Sequence, residues 1–345
     1  MSKMIVTAVG VRGSGKSNAY GAMIELLKVQ QRDSYYLTAC GATPEERLRN
    51  SGVIDRYADI SNGFIQTGTM VTTDFPFAFG GHFRPDIPHY PLLDMPLVDY
   101  SGGLLQTMLQ DGSEEATKLL HRIMTTDVLL LFADANILSE GGEPYDPAPA
   151  RQRIAREINA IFEVLSTQQD TEFVSKPRTV VLLLTKCDST LIPQELRDDH
   201  FKGLINRALQ VFDPAMRFCI NQPGWKLAVV PTSTCGDGNS RTWRNADGAY
   251  QSEMIAPPKP YGFDTGLLYG VMCELENRVR LGIDGSDAPP DEIERKRGFV
   301  SAFQWRHILR RLADQEDTQT ELYRRYAGHL HSILDPLKGV DYVEI

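Results

Sequence analysis

Hydrophobic residues fall along this chain in short, nearly unbroken runs separated by longer stretches with helical spacing. The runs are "MIVTAVG" (4–10), "PLLDMPLVDY" (91–100), "DVLLLFADA" (127–135), "RTVVLLLTK" (178–186) and "KLAVVPTS" (226–233). A half-buried strand alternates apolar and polar residues, whereas a run apolar at nearly every position needs cover on both faces, as in a parallel sheet with helices on either side. The intervening segments supply that cover. Ile154, Ile158, Ile161, Phe162 and Leu165 make one helical stripe, and Leu196, Phe201, Leu204, Ile205, Ala208 and Phe212 make another. This alternation predicts an α/β domain with a doubly wound, mostly parallel sheet.

Two stretches fit the alternation poorly. Residues 41–90 are polar and rich in Gly, Thr and Pro; they predict a helix around "TPEERLRNSGVIDRYA", an irregular segment, and an edge strand near "DFPFAFGG". Residues 234–262 predict an extended loop. "DTGLLYGVMCELENRVR" (264–280) predicts the last helix of the α/β domain, and "GIDGSDAPP" after it has linker composition. Two helices are expected beyond, 291–313 and 318–335, the second with Leu322, Tyr326, Leu330 and Ile333 on one face. The division is therefore an α/β domain over 1–280, a linker over 281–290 and a C-terminal helical extension over 291–345.

Charge and cysteine usage narrow the functional classes. The 345 residues carry a net charge of −9, which gives no global attraction to nucleic acid or to anionic membrane surfaces. The five cysteines are widely spaced and odd in number, so a disulfide framework and a structural zinc site are both disfavoured. No apolar run approaches the roughly 20 residues that span a bilayer, and glycines interrupt the first run too early for a signal peptide. A cytoplasmic protein is expected. The basic pairs in the C-terminal region are diluted by neighbouring acids, and "HLH" (329–331) lacks a third ligand nearby, so neither predicts a site.

The candidate chemistry begins where the first run ends. "GVRGSGKS" (10–17) matches the phosphate-loop spacing at Gly10, Gly15, Lys16 and Ser17, between a predicted strand and a predicted helix. Glycines let backbone amides turn inward around phosphate, a lysine supplies positive charge to the β and γ phosphates, and a serine hydroxyl ligates Mg²⁺. "DYSG" (99–102) sets Asp99 at a strand tip, where it can hold Mg²⁺ through a water, with the Gly102 amide three residues on to meet a γ phosphate. "TKCD" (185–188) follows a buried strand. A carboxylate at Asp188 accepts hydrogen bonds from both N1–H and the N2 amine of guanine while the Lys186 stem covers the ring; adenine offers no such donor pair.

This ordered set, with a later strand ending in "PTST" (231–234), resembles the P-loop GTPases of the Ras-like, translation-factor-related (TRAFAC) class, over residues 1 to about 280. The resemblance implies GTP or GDP with Mg²⁺ as ligands, and a protein partner, either another GTPase or an effector. It implies nucleotide contacts from Gly10, Gly13, Ser14, Gly15, Lys16, Ser17, Asn18, Thr185, Lys186 and Asp188, and backbone amides near guanine O6 from Thr232, Ser233 and Thr234. Metal contacts would come from Ser17, Asp99 and a γ-phosphate-sensing threonine. Candidates for that threonine are Thr67, Thr69, Thr72 and Thr73; Thr69 is favoured because "NGFIQTGT" resembles the lead-in of bacterial double-GTPase-type families.

Two departures bear on mechanism. Gly103 stands where Ras-like enzymes carry a water-orienting glutamine, so slow intrinsic hydrolysis is expected. Arg12 lies inside the phosphate loop, where it either reaches the γ phosphate as a built-in arginine finger, points to solvent or pairs with an acid. Besides a GTP-hydrolysing switch, two readings stay open at this point: a nucleotide-holding scaffold with negligible turnover, and an ATP-using P-loop enzyme.

Overall fold

A computed structural model describes residues 2–10, 13–27, 35–39, 45, 73–81, 90–99, 114–138, 148–167, 178–244, 250–281 and 319–345. The polar pair Ser2–Lys3 forms β1 and the first apolar run forms β2 (Val6–Gly10), followed by α1 (Lys16–Leu26). Next come β3 (Tyr35–Ala39), β4 (Thr73–Gly81), β5 (Tyr90–Asp99), α2 (Glu114–Thr125) and β6 (Val128–Asp134). The chain continues through α3 (Ala148–Thr167), β7 (Thr179–Thr185), α4 (Gln194–Val211), α5 (Asp213–Asn221) and β8 (Lys226–Pro231). It ends with β9 (Ser240–Arg244), β10 (Tyr250–Met254), α6 (Phe263–Leu281), α7 (Gln319–Leu334) and β11 (Val343–Glu344).

Among the described residues nine strands make one sheet in the order β11-β8-β7-β6-β2-β5-β4-β3, with β1 also paired to β5. Strands β5, β2, β6, β7 and β8 are parallel, and β4, β3 and β11 are antiparallel additions at the two ends. The unbroken apolar runs find cover on both faces, as periodicity requires. Val128, Leu130 and Phe132 of β6 join Val181, Leu183, Ala228 and Val230 in a core beneath α1, α6 and α7. Leu129, Leu131 and Ala133 face the opposite way, with Val180, Leu182, Leu184, Leu227 and Val229, onto α2, α3, α4 and α5. The fold is α/β, a mostly parallel sheet wound on both sides.

Three expectations need correction. Strand β4 is not an edge: β3, too short and too aromatic to stand out in the periodicity, pairs along its outer side from Tyr35↔Gly81 to Ala39↔Phe77. Pro76 of β4 lies opposite Pro96 on β5, which falls between the Lys3↔Asp94 and Val6↔Leu97 pairings. Second, residues 234–262 are not one loop, because β9 and β10 pair antiparallel from Ser240↔Met254 to Arg244↔Tyr250. Third, α4 is interrupted. Asp199, His200 and Phe201 all have φ between 50° and 59°, so a left-handed break interrupts the stripe expected from Leu196 to Phe212 on one regular helix.

Helix α7 packs on α6, and Leu322, Tyr326 and Leu330 are buried as the stripe predicted, with Ile333 partly so. Tyr35 on β3 reaches this helix, its hydroxyl meeting His329 Nδ1 at 3.1 Å, while His331 pairs with Glu276 of α6. The expected helix at 291–313 lies outside the described residues, as do the one at 43–58 except Glu45 and the linker except Leu281, which ends α6. Among the described residues no helix is long and apolar enough to cross a membrane, and no three His, Cys, Asp or Glu side chains gather as a metal cluster.

Candidate functional site

Gly10, Asp99, Thr185 and Pro231, where four of the motifs begin, lie at the carboxyl edge of the parallel strands. Register fixes this: Gly10 ends β2 beside Phe132, Ala8 pairs with Asp99 at the end of β5, and Asp134 at the end of β6 pairs with Thr185 at the end of β7. Open α/β sheets bind ligands in the crevice outside these carboxyl ends.

The loop leaving β2 turns on its glycines. Gly13 (φ 82°) and Gly15 (φ 86°, ψ 11°) are left-handed, a conformation that costs other residues about 1–2 kcal/mol, and Gly15 is the N-cap of α1. Successive amides bracketed by left-handed residues form an anion-binding concavity, and the α1 N-terminus adds its dipole. Gly10 is required for space instead, since a Cβ there would lie 2.7 Å from Phe132 O. Lys16 is buried at the start of α1 and its Nζ donates to Gly10 O at 2.6 Å, folding the side chain back across the loop. The Ser14 hydroxyl is buried with no hydrogen-bond partner, a polar atom suited to an incoming phosphate oxygen. Ser17 and Asn18 follow on the first turn of α1, half-buried.

The "TKCD" motif is tied directly to this loop. The Thr185 hydroxyl donates to Ser14 O at 2.8 Å, with Ala133 O at 3.2 Å. Lys186 adopts φ 61°, left-handed for a non-glycine residue, and its ammonium pairs with Asp134 Oδ2 at 2.5 Å. Asp134 Oδ1 in turn accepts from the Asn136 amide at 3.0 Å. Asp188 is only 6% exposed. Its Oδ1 accepts from Ser233 Oγ at 2.6 Å and its Oδ2 from Ser240 Oγ at 2.8 Å. Burial pushes the Asp188 carboxyl above the usual carboxylate range, and the two hydroxyls pull it back part of the way.

Ser233 differs from expectation in which of its groups faces the site. Its amide is used in a bridge to Tyr261 O at 3.2 Å, and the hydroxyl is what reaches Asp188, while accepting from the Cys235 and Gly236 amides. Thr232 is a strand-end brace, bonded through both N and Oγ1 to Leu184 O, and Thr234 follows half-buried. Arg12, Thr67, Thr69, Thr72, Gly102 and Gly103 lie outside the described residues. Thr73 begins β4, opposite Asp99. Sequence reasoning missed Asp134 and Ser240. Asp134 carries the same signal as Asp99 and Asp188, an acid at a strand tip; Ser240 has none.

The donor chemistry fits Mg²⁺. A hard cation takes oxygen ligands, and a hydroxyl on the first turn of α1 (Ser17) and a carboxylate at the end of β5 (Asp99) stand on elements that flank the loop.

No protein-family profile and no curated protein matches this chain. Solved structures do resemble it. They include the signal recognition particle receptor SRb-GTP/SRX complex of Chaetomium thermophilum, with 16% identity, 69% of this chain and 94% of that chain covered, and a TM-score of 0.37. The S. cerevisiae Ski7 GTPase-like domain bound to GTP matches with 14% identity, 68% and 43% coverage and a TM-score of 0.36. The same domain bound to GDP and inorganic phosphate gives 15%, 68%, 43% and 0.35.

Proposed function

We propose that this chain binds guanine nucleotides with Mg²⁺ and hydrolyses GTP, acting as a nucleotide-dependent switch for a protein partner. The observation that supports the reading is the bond from Thr185 Oγ1 to Ser14 O, which ties the 13–17 loop to the strand end followed by the buried Asp188. In this reading the amides of residues 13–17 and Lys16 hold the phosphates, and Asp188 accepts from guanine N1–H and N2. Lys186 covers the base, with Ser233 and Thr234 beside it. Ser17, Asp99 and Thr69 hold Mg²⁺, which offsets charge on the β and γ phosphates.

Hydrolysis in this scheme is in-line attack of water on the γ phosphate. Lys16, the loop amides and the Gly102 amide stabilise the charge, and Arg12 is the candidate finger. Asp188 left without its two guanine donors disfavours ATP by about 1–3 kcal/mol. Binding of GTP, GDP and ATP to wild type and to Asp188→Asn tests this. Guanine preference that falls about tenfold or more in the variant supports the reading, and equal or better ATP binding to wild type refutes it. Gly103, with no side chain to orient water, favours the second reading of a nucleotide-holding scaffold. Phosphate release measured on GTP-loaded protein separates the two.

A further inference from the structure

Asp188 is gripped from two sides by residues of different origin. Ser233 belongs to the loop after β8, next to the guanine-site motif, whereas Ser240 opens the β9–β10 hairpin, 52 residues from Asp188 along the chain. Each hydroxyl takes one carboxylate oxygen, and each oxygen keeps a second lone pair for a further donor. The hairpin root holds Ser240 in place. The amides of Ile255 and Ala256 donate to Asn239 O at 2.9 and 3.2 Å, and Asn239 Nδ2 donates to Cys235 O at 3.1 Å. Ser240 is itself 5% exposed, so its hydroxyl is not a solvated surface group that happens to touch the acid.

We propose that Ser240 is a positioning residue for base recognition: its hydroxyl fixes Asp188 Oδ2, as Ser233 fixes Oδ1, so that the carboxylate meets the two donors of guanine already oriented. The inference rests on the reading of Asp188 as the guanine acceptor. It makes the hairpin part of the nucleotide site.

The surroundings make the second hydroxyl necessary. Asp237, on the same loop, pushes the Asp188 carboxyl up, as burial does, and Ser233 and Ser240 oppose that. The other titratable groups here are the thiols of Cys187 and Cys235 and the phenol of Tyr261. All are raised by burial, that of Cys235 to about 12, and they bring no positive charge to the acid. Lys186, the neighbouring cation, is engaged with Asp134.

The test is calorimetric titration of the full chain with GDP and ADP as pH is lowered. Ser240→Ala should weaken GDP binding about tenfold, leave ADP binding as it was, and move the acid limb of GDP affinity to higher pH; Ser240→Thr should restore both. A hydroxyl with a merely structural role would not move the acid limb. Should Ser240→Ala fail to fold, Ser240→Cys supplies a near-isosteric weak donor and should fall between wild type and complete loss. GDP affinity unchanged or tightened in Ser240→Ala, with the acid limb unmoved, overturns the proposal. Asp188→Asn separates the two claims. If it keeps full guanine preference, the reading of Asp188 fails; if it loses that preference while Ser240→Ala does not weaken GDP, only the role of Ser240 fails. In the Asp188→Asn background, Ser240→Ala should add little further loss.

Discussion

Replacing Thr185 with valine tests the joint between the two halves of the crevice. The side chain is 2% exposed and donates its one hydroxyl hydrogen to Ser14 O at 2.8 Å. Valine matches threonine in shape, so no cavity opens and packing on Ala133 and β6 is kept. What is lost is the hydrogen bond, worth about 1 kcal/mol net, or about 1–3 kcal/mol if the Ser14 carbonyl finds no other partner. For a domain of this size, each kcal/mol lowers the melting temperature by about 2–4 °C. The loop also loses its anchor at Ser14, between the two left-handed glycines, so GDP affinity should fall roughly tenfold beyond the stability loss. Thermal unfolding without nucleotide and calorimetric titration with GDP read the two effects separately. Thr185→Ser should behave like wild type in both. A Thr185→Val protein with unchanged melting temperature and unchanged GDP affinity would show that the two motifs share an edge without being coupled.

Gly10→Ala forces a Cβ to within 2.7 Å of a backbone oxygen and should cost about 1–3 kcal/mol together with nucleotide binding. Gly15→Ala meets nothing closer than 3.9 Å, so its cost, about 1–2 kcal/mol by denaturant unfolding, is conformational. Lys16→Ala should lower GTP affinity at least about tenfold in the same titration while the fold persists. Asp188→Asn should unfold, without nucleotide at neutral pH, at a temperature equal to or above that of wild type. A carboxyl raised by folding favours its protonated form, so the native anion costs stability as pH rises through its folded pKa; the difference should therefore shrink as pH falls. Leu330→Ala, at a fully buried position of α7, should cost about 2–5 kcal/mol by denaturant unfolding, because that face of the helix shares the core of α1 and α6.

Much of this was legible in the sequence because the signals are local. Five apolar runs became the parallel strands, since a run apolar at every position fits only a sheet covered twice. The turn after β2 was legible because Gly13 and Gly15 act on the backbone at their own positions. Strand β3, "YYLTA", escaped because five residues with two tyrosines carry no clear period, and the β9–β10 pairing because "SRTWR" and "YQSEM" are polar and find each other only in space. Ser240 was invisible for a deeper reason. Its role depends on a contact across 52 residues, and a serine in a polar stretch carries no mark of its partner.

The energetics of the crevice argue for a ligand independently of any motif. Lys186 holds a left-handed backbone without being glycine, Asp188 is an acid buried against its own preference for the charged form, and Ser14 keeps a hydroxyl without a partner. Each lowers the stability of the empty protein, and local strain of this kind persists only where the surroundings impose it. Here the surroundings are bonds that run crosswise: Thr185 to Ser14, Lys186 to Asp134, Ser233 and Ser240 to Asp188. None of them neutralises Asp188 with a cation. A site built only for stability would pair that acid with a base or replace it with an apolar residue of similar volume, as buried charges tolerate well. Two hydroxyls instead leave the carboxyl oriented, with a lone pair on each oxygen still able to accept. Under the proposed reading that arrangement suits the two adjacent donors of guanine, which adenine does not have.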